Sequence, residues 1–210
     1  MPDLTQTQRT AVGLVGFAES YQKSAMALLE DQKAGRLELL FDAPIYLLLA
    51  HALELNLKAL LLLHDTPMSA VEGARHDLIK LYDRLRAGKE TSHRILEAET
   101  ENRRMWRSVF REARDEYRDT LMQFLDADDC SEEFGIYDND MIDRNLPNLR
   151  EIVRWLNSRH AKGGSEFRYF KNKADFIPFT NAFNIKENIV FKTVSHTNSY
   201  LLSNFKTIDL

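Results

Sequence analysis

With 210 residues, 29% of them charged and 44% apolar, the chain describes a soluble globular protein large enough for one well-filled core. Its net charge of -4 excludes a global attraction to polyanions, so any nucleic-acid surface has to be a local patch. Cys130 is the only cysteine, which excludes an intrachain disulfide and fits a reducing compartment, and nothing near it marks an activated nucleophile.

Met1 to Thr10 is polar and lacks the apolar region of a signal peptide, so a cytoplasmic protein is expected. Leu14, Phe17, Tyr21, Ala25 and Leu28 then recur at helical spacing and predict an amphipathic first helix ending near Gly35. Pro44 to Leu63 follows and is apolar almost all round. Pro44 suits the first turn of a helix, where its missing N–H removes no hydrogen bond, and Asp65, Thr66 and Pro67 read as the stop. The length invites a membrane reading, but a charged side chain near the centre of a span costs roughly 2.5 to 3.5 kcal/mol, and no second candidate span follows. A core helix enclosed by the others, with no membrane contact, is the expectation.

Within that helix His51, Glu54 and Lys58 stand at i, i+3 and i+7, inside a narrow arc on one side. This polar seam fits either a buried cluster at a nucleotide or RNA cleft or an internal network, with Glu54 and Lys58 paired at i, i+4 and His51 bound to a neighbouring helix. No metal centre and no cofactor are expected. His51 and Glu54 face one ion only if a third ligand comes from elsewhere, with His76 a candidate.

The next helix opens with His76 and Asp77, where an acid favours the positive end of the helix dipole; it buries Leu78, Leu81 and Leu85 and ends at Gly88. The strongest pattern runs from about Asn102 to Leu125, with Trp106, Phe110, Ala113, Tyr117, Leu121 and Phe124 in one stripe. Beside it Arg103, Arg107, Arg111, Arg114 and Arg118 occupy roughly an 80° arc, while Glu112, Asp115, Glu116 and Asp119 gather on a third face. Like charges at i, i+4 cost roughly 0.2 to 0.5 kcal/mol per pair, so something acidic should lie on the stripe. Guanidinium groups bind phosphate oxygens bidentately, which suits a nucleic-acid backbone. The acidic run from Asp126 to Asp143, or an acidic partner protein, would serve as well.

Pro147 opens another helix with Leu149, Ile152, Val153 and Leu156 facing the core, stopping before Gly163-Gly164. Residues 161–183 change character: Phe167, Tyr169, Phe170, Phe176 and Phe179 suggest a small aromatic hairpin or extended flap. Asn184 and Glu187 form a plausible capping pair for a final helix over 184–208 carrying Val190, Val194, Leu201 and Phe205.

The run His51-Ala-Leu-Glu54-Leu-Asn-Leu-Lys58-Ala-Leu, then His76-Asp77-Leu-Ile-Lys-Leu after a short loop, resembles the HEPN (higher eukaryotes and prokaryotes nucleotide-binding) superfamily, whose members carry an A-x-E-x-x-x-K-A helix followed by an H-D-L-x-x-L helix. The match is close over about 45 residues and extends loosely by helix count to about His160. The resemblance implies a helical bundle that commonly dimerises, and a metal-independent ribonuclease or an inactive relative of one, of the kind found in bacterial toxin-antitoxin and phage-defence systems. It also implies a catalytic arginine followed, after four to six residues, by a histidine on a late helix. Arg154 and His160 fit that spacing, with Trp155 standing where active members usually carry a small polar residue.

The expectation is therefore a single all-α, HEPN-like domain over 1–210, with five to six helices and an aromatic extension. It would be a homodimer directed at RNA, through binding or a degenerate ribonuclease activity. The alternative is a catalytically inert helical dimerisation or protein-interaction module that uses the arginine stripe.

Overall fold

The structure is a computed structural model and describes residues 4–37, 43–112, 148–160 and 185–207. Among them lie seven helices and no strand: α1 (Gln6–Lys33), α2 (Ala43–Leu63), α3 (Met68–Glu72), α4 (Leu78–Ala87), α5 (Thr91–Glu112), α6 (Leu149–His160) and α7 (Ile185–Thr207). The aromatic extension, the acidic run with Cys130, and Arg114 and Arg118 of the stripe lie outside the described residues.

The architecture follows from α2. Its Ile45, Leu49, Leu53 and Leu57 are buried, and so are Ala52, Ala59, Leu60, Leu61 and Leu62 on its other sides. A helix apolar all round needs neighbours all round, and α2 packs against α1, α3, α4, α6 and α7. Pro44–Leu63 is the one described helix long and apolar enough to cross a membrane, and 72% of its apolar window is buried inside the fold.

Helix α1 begins at a capping box in which Thr5 and Gln8 exchange backbone-to-side-chain hydrogen bonds. It ends beside Gly35, whose φ of 66° is the left-handed conformation glycine adopts without strain. The face α1 buries is rotated from the one its apolar spacing predicts: Ala25 is buried, Leu14 and Leu28 pack against the core and Tyr21 lies on His51, but Phe17 turns outward. Ala11, Ala18, Gln22, Ala25 and Leu29 point inward, and Phe17 is 64% exposed. Alanines spaced by seven give a flat side that lets α1 lie close along α2, whereas a phenylalanine there would hold the two apart.

Asp77 caps α4 by accepting from the Lys80 amide (3.0 Å), and Gly88 closes it. Helix α5 starts at Thr91, eleven residues ahead of the patterned stretch, because the Thr91 hydroxyl donates to the Leu85 carbonyl (2.6 Å) and Ile95 and Ala98 bury a first turn and a half. Asn148 and Glu151 form a reciprocal cap on α6, whose Leu149, Ile152, Val153 and Leu156 are buried as expected. The expected Val190, Val194, Leu201 and Phe205 of α7 are buried too.

Between these apolar residues runs a polar layer with no distinctive spacing in the sequence. Asn198 of α7 accepts from Asn56 of α2 (3.1 Å) and donates to Gln22 of α1 (3.2 Å) and to the Leu49 carbonyl (3.3 Å). Gln22 donates to the Ser195 hydroxyl (2.8 Å). On the opposite side of α7, Thr197 accepts from Asn102 (2.7 Å) and Thr193 from the Trp106 indole (3.0 Å). Buried amides that find such partners fix helix register, because a slide by one turn would leave each unpaired.

Truncating the centre should show the difference between α2 and the outer face of α1. Leu53→Ala is expected to lower the unfolding free energy by about 2 to 5 kcal/mol in urea titrations, while Phe17→Ala stays within about 0.5 kcal/mol of wild type.

Candidate functional site

The seam of α2 faces inward and is completed from two other places. Glu54, 2% exposed, lies at its centre. Lys58, one turn along α2, donates to Oε1 at 2.6 Å. His76, at the entrance to α4, approaches with Nδ1 3.1 Å from Oε2 and 3.2 Å from Oε1. His160, the last residue of α6, places Nε2 2.8 Å from Oε2. His51 stands 3.9 Å from Oε2 by its Nδ1 and stacks on Tyr21 of α1 with ring centres 5.4 Å apart.

The backbone explains why these groups meet. Arg75 has a φ of 50°, a sharp left-handed bend that turns the chain back onto α2 just before His76. The Leu78 amide, one of the orphan donors at the start of α4, is satisfied by the Asn157 side chain at 2.7 Å. Asn157 precedes His160 by three residues, on nearly the same side of α6. One capping contact therefore ties the His76 end of α4 to the His160 end of α6.

Burial on its own pushes the Glu54 carboxyl up. The hydrogen bonds from His160 and Lys58, the Lys58 charge and the bond from His76 outweigh it and hold the pKa at about 2, below the ordinary 4.5. An ionised carboxylate only accepts, so Nε2 of His160 carries a proton and donates it. The other ring nitrogen, Nδ1, is buried and has no hydrogen-bond partner. His76 has a side chain 53% exposed, whereas that of His160 is fully covered. The cluster runs from solvent at His76, through Glu54, to a ring nitrogen in the interior. It can carry a proton along that line or hold a cation at its inner end.

The arginine stripe and Arg154 lie elsewhere. Arg103 is exposed and Arg107 half-buried on α5, with Arg111 in the last turn. Helix α6 continues unbroken to His160, so Arg154 and His160 sit about 120° apart around it. Arg154 is on the exposed face beside Asp83 of α4, where Arg150 makes two 3.0 Å bonds to the Asp83 carboxylate. Those bonds chiefly hold the Asp83 carboxyl below its ordinary value, and the Arg154 charge adds to them. Trp155 packs edge-on against Tyr46 at 5.5 Å. Thus His51, Glu54, Lys58, His76 and His160 come together, and Arg154 does not join them within one chain.

The signal that placed His51, Glu54, Lys58 and His76 was their spacing and the family motif, and nothing local linked His160 to them. Tyr21 was read only as an apolar position, though it lies over His51. Comparison with protein-family models, with curated proteins and with solved structures finds no match.

Because the folded pKa of Glu54 is depressed, its contribution to stability is fully present above the ordinary 4.5 and is lost as pH falls towards 2. Urea unfolding of wild type and Glu54→Gln should show a difference that shrinks by up to roughly 3 kcal/mol between pH 5 and pH 2. A difference that stays constant over that range would mean the carboxylate is not held ionised.

Proposed function

We propose that the chain is a HEPN-like protein directed at RNA, with the cluster around Glu54 as its reactive centre. The observation that carries this is the 2.8 Å contact between Glu54 and His160, 106 residues apart in sequence. It joins the two separated parts of the resemblance, the A-x-E-x-x-x-K-A helix and the late histidine. A histidine oriented by a buried carboxylate is the arrangement that acid-base chemistry needs, since the carboxylate fixes the tautomer and stabilises the imidazolium as it forms.

The reaction that suits it is attack by a ribose 2'-hydroxyl on the adjacent phosphate. The hydroxyl proton enters the cluster at the exposed His76, held by Glu54 with the buried His160 behind it, a bond forms from O2' to phosphorus, and the bond to O5' breaks with O5' taking a proton from water, leaving a cyclic phosphate and a 5'-hydroxyl. Charge building on the phosphoryl oxygens calls for a cation. His76 stands at the solvent side of the cluster for that purpose. Arg154 would serve only from a second copy, which makes a homodimer part of the proposal. Trp155, spent on packing against Tyr46, fits a weakened nuclease that retains RNA binding.

One observation favours the alternative of an inert dimerisation or interaction module. Val12, Gly13, Gly16, Phe17 and Ser20 are all exposed and share one side of α1, with open space around both glycines. A second helix can approach closely there between two apolar side chains.

Two measurements decide between them. Labelled RNA incubated with wild type in chelator should yield fragments ending in cyclic phosphate, slowed 100-fold or more by His160→Ala and by Arg154→Ala. Intact RNA in every lane removes the nuclease, and no RNA retention at low salt removes RNA altogether in favour of the interaction module. Sedimentation of wild type should give a dimer that Phe17→Glu converts to monomer; a monomeric wild type removes the dimer from both accounts.

A further inference from the structure

We infer that His51, Glu54 and His160 form a binding site for a divalent transition-metal ion of the zinc type. Their donor atoms, one from each side chain, all lie within 4.8 Å of one another. They project from α2 and α6, two helices packed into the core, so the set is presented by rigid elements.

Three further features of the cluster fit an ion. The first is the division of labour at Glu54. Lys58 occupies Oε1 at 2.6 Å, while Oε2 faces the nitrogens of His160, His76 and His51 at 2.8, 3.1 and 3.9 Å. Lys58 is thus placed to orient the carboxylate from behind, as outer partners of metal ligands do, without taking the ligating oxygen. The second is the disposition of the rings. His51, His76 and His160 stand mutually edge-on, at 82° to 88°, with centres 4.8, 5.9 and 6.4 Å apart. Imidazoles bound at about 2.0 to 2.1 Å to one tetrahedral ion have ring centres about 5 Å apart, so the rings already stand near that spacing. The third is His160 itself. Its Nδ1 has no hydrogen-bond partner, so the ring proton can move there from Nε2 and leave the Nε2 lone pair to ligate.

Two imidazoles and a carboxylate are the three-ligand set of open zinc sites, with the fourth position left to water or, from the solvent side, to His76. That set selects zinc, cobalt, nickel or copper over magnesium and calcium, which prefer oxygen. Binding closes the widest donor pair from 4.8 Å by about 1.4 Å and opens the 2.8 Å Glu54–His160 contact by about 0.6 Å, towards the tetrahedral edge of about 3.4 Å, movements within reach of side-chain rotation. The site does not rest on RNA chemistry. An ion there occupies the same imidazole that cleavage would use, so metal-loaded and cleavage-competent forms exclude each other.

The test is direct. Chelator-stripped protein is titrated with zinc in competition with a chromogenic chelator, and with cobalt to read coordination from its visible bands. The expected result is one equivalent bound, intense bands of four- or five-coordinate cobalt, and affinity lowered 100-fold or more in His51→Gln and His160→Gln. His93→Gln, which alters an exposed histidine paired with Glu97 on α5, should bind as wild type does. Circular dichroism checks that the variants fold. Where one does not, histidine ring resonances of labelled wild type identify the ligands. Zinc shifts confined to His51 and His160, with or without His76, uphold the site. No bound ion, binding unchanged in both ligand variants, or shifts at His64 and His93 instead would overturn it.

Discussion

A carboxylate that stays ionised inside a protein fixes everything around it. Removing a charge from water costs several kcal/mol after relaxation, and the cost is met only if the donors hold close positions. Glu54 has such donors in Lys58, His76 and His160, drawn from α2, the entrance to α4 and the end of α6. Each of those elements is thereby held to the others by a group it cannot abandon without stranding a buried charge. The side chains of the candidate site are also those that tie α2, α4 and α6 together.

The opposite flank of α2 is held by different chemistry. There Asn56, Asn198 and Gln22 form a neutral amide chain linking α2, α7 and α1. Apolar contacts alone would let an alanine-faced α1 slide along α2, since one leucine surface resembles the next. The amides remove that freedom because Asn198 bonds to both Asn56 and Gln22, although the Asn56 side-chain oxygen is left buried without a partner. Helix α2 is therefore enclosed by apolar neighbours yet registered by polar ones on two sides, charged at Glu54 and uncharged at Asn56.

Much of this was legible in the sequence. An apolar run with polar residues only at i, i+3 and i+7 identified both the central helix and its inward seam, because burial on every side leaves few other arrangements. The opening at Asp77, the stop at Gly88 and the break at Pro147, next to the Asn148 cap seen in the structure, set the neighbouring helices. Phe17 was misplaced because apolar spacing weights a large aromatic over alanine, while close helix packing favours the smaller residue. The first half of α5 was missed because it shows solvent a mostly polar face. His160 could be named from spacing but not located: its contact with Glu54 depends on how α6 docks, and that is decided by Asn157 and by core packing far away in sequence.

The cluster offers the same side chains to both of the chemistries proposed for it. A carboxylate flanked by imidazoles binds a proton or a metal ion with the same lone pairs, and which it holds depends on supply rather than on a change of fold. The most direct test of the account is a double-mutant cycle on Glu54→Gln and His160→Gln, each alone and both together, by urea unfolding at neutral pH. A coupling energy of about 1.5 kcal/mol or more is predicted for a buried charge-assisted hydrogen bond. Effects that add within about 0.5 kcal/mol would show that the two side chains do not interact and would contradict the account at its centre.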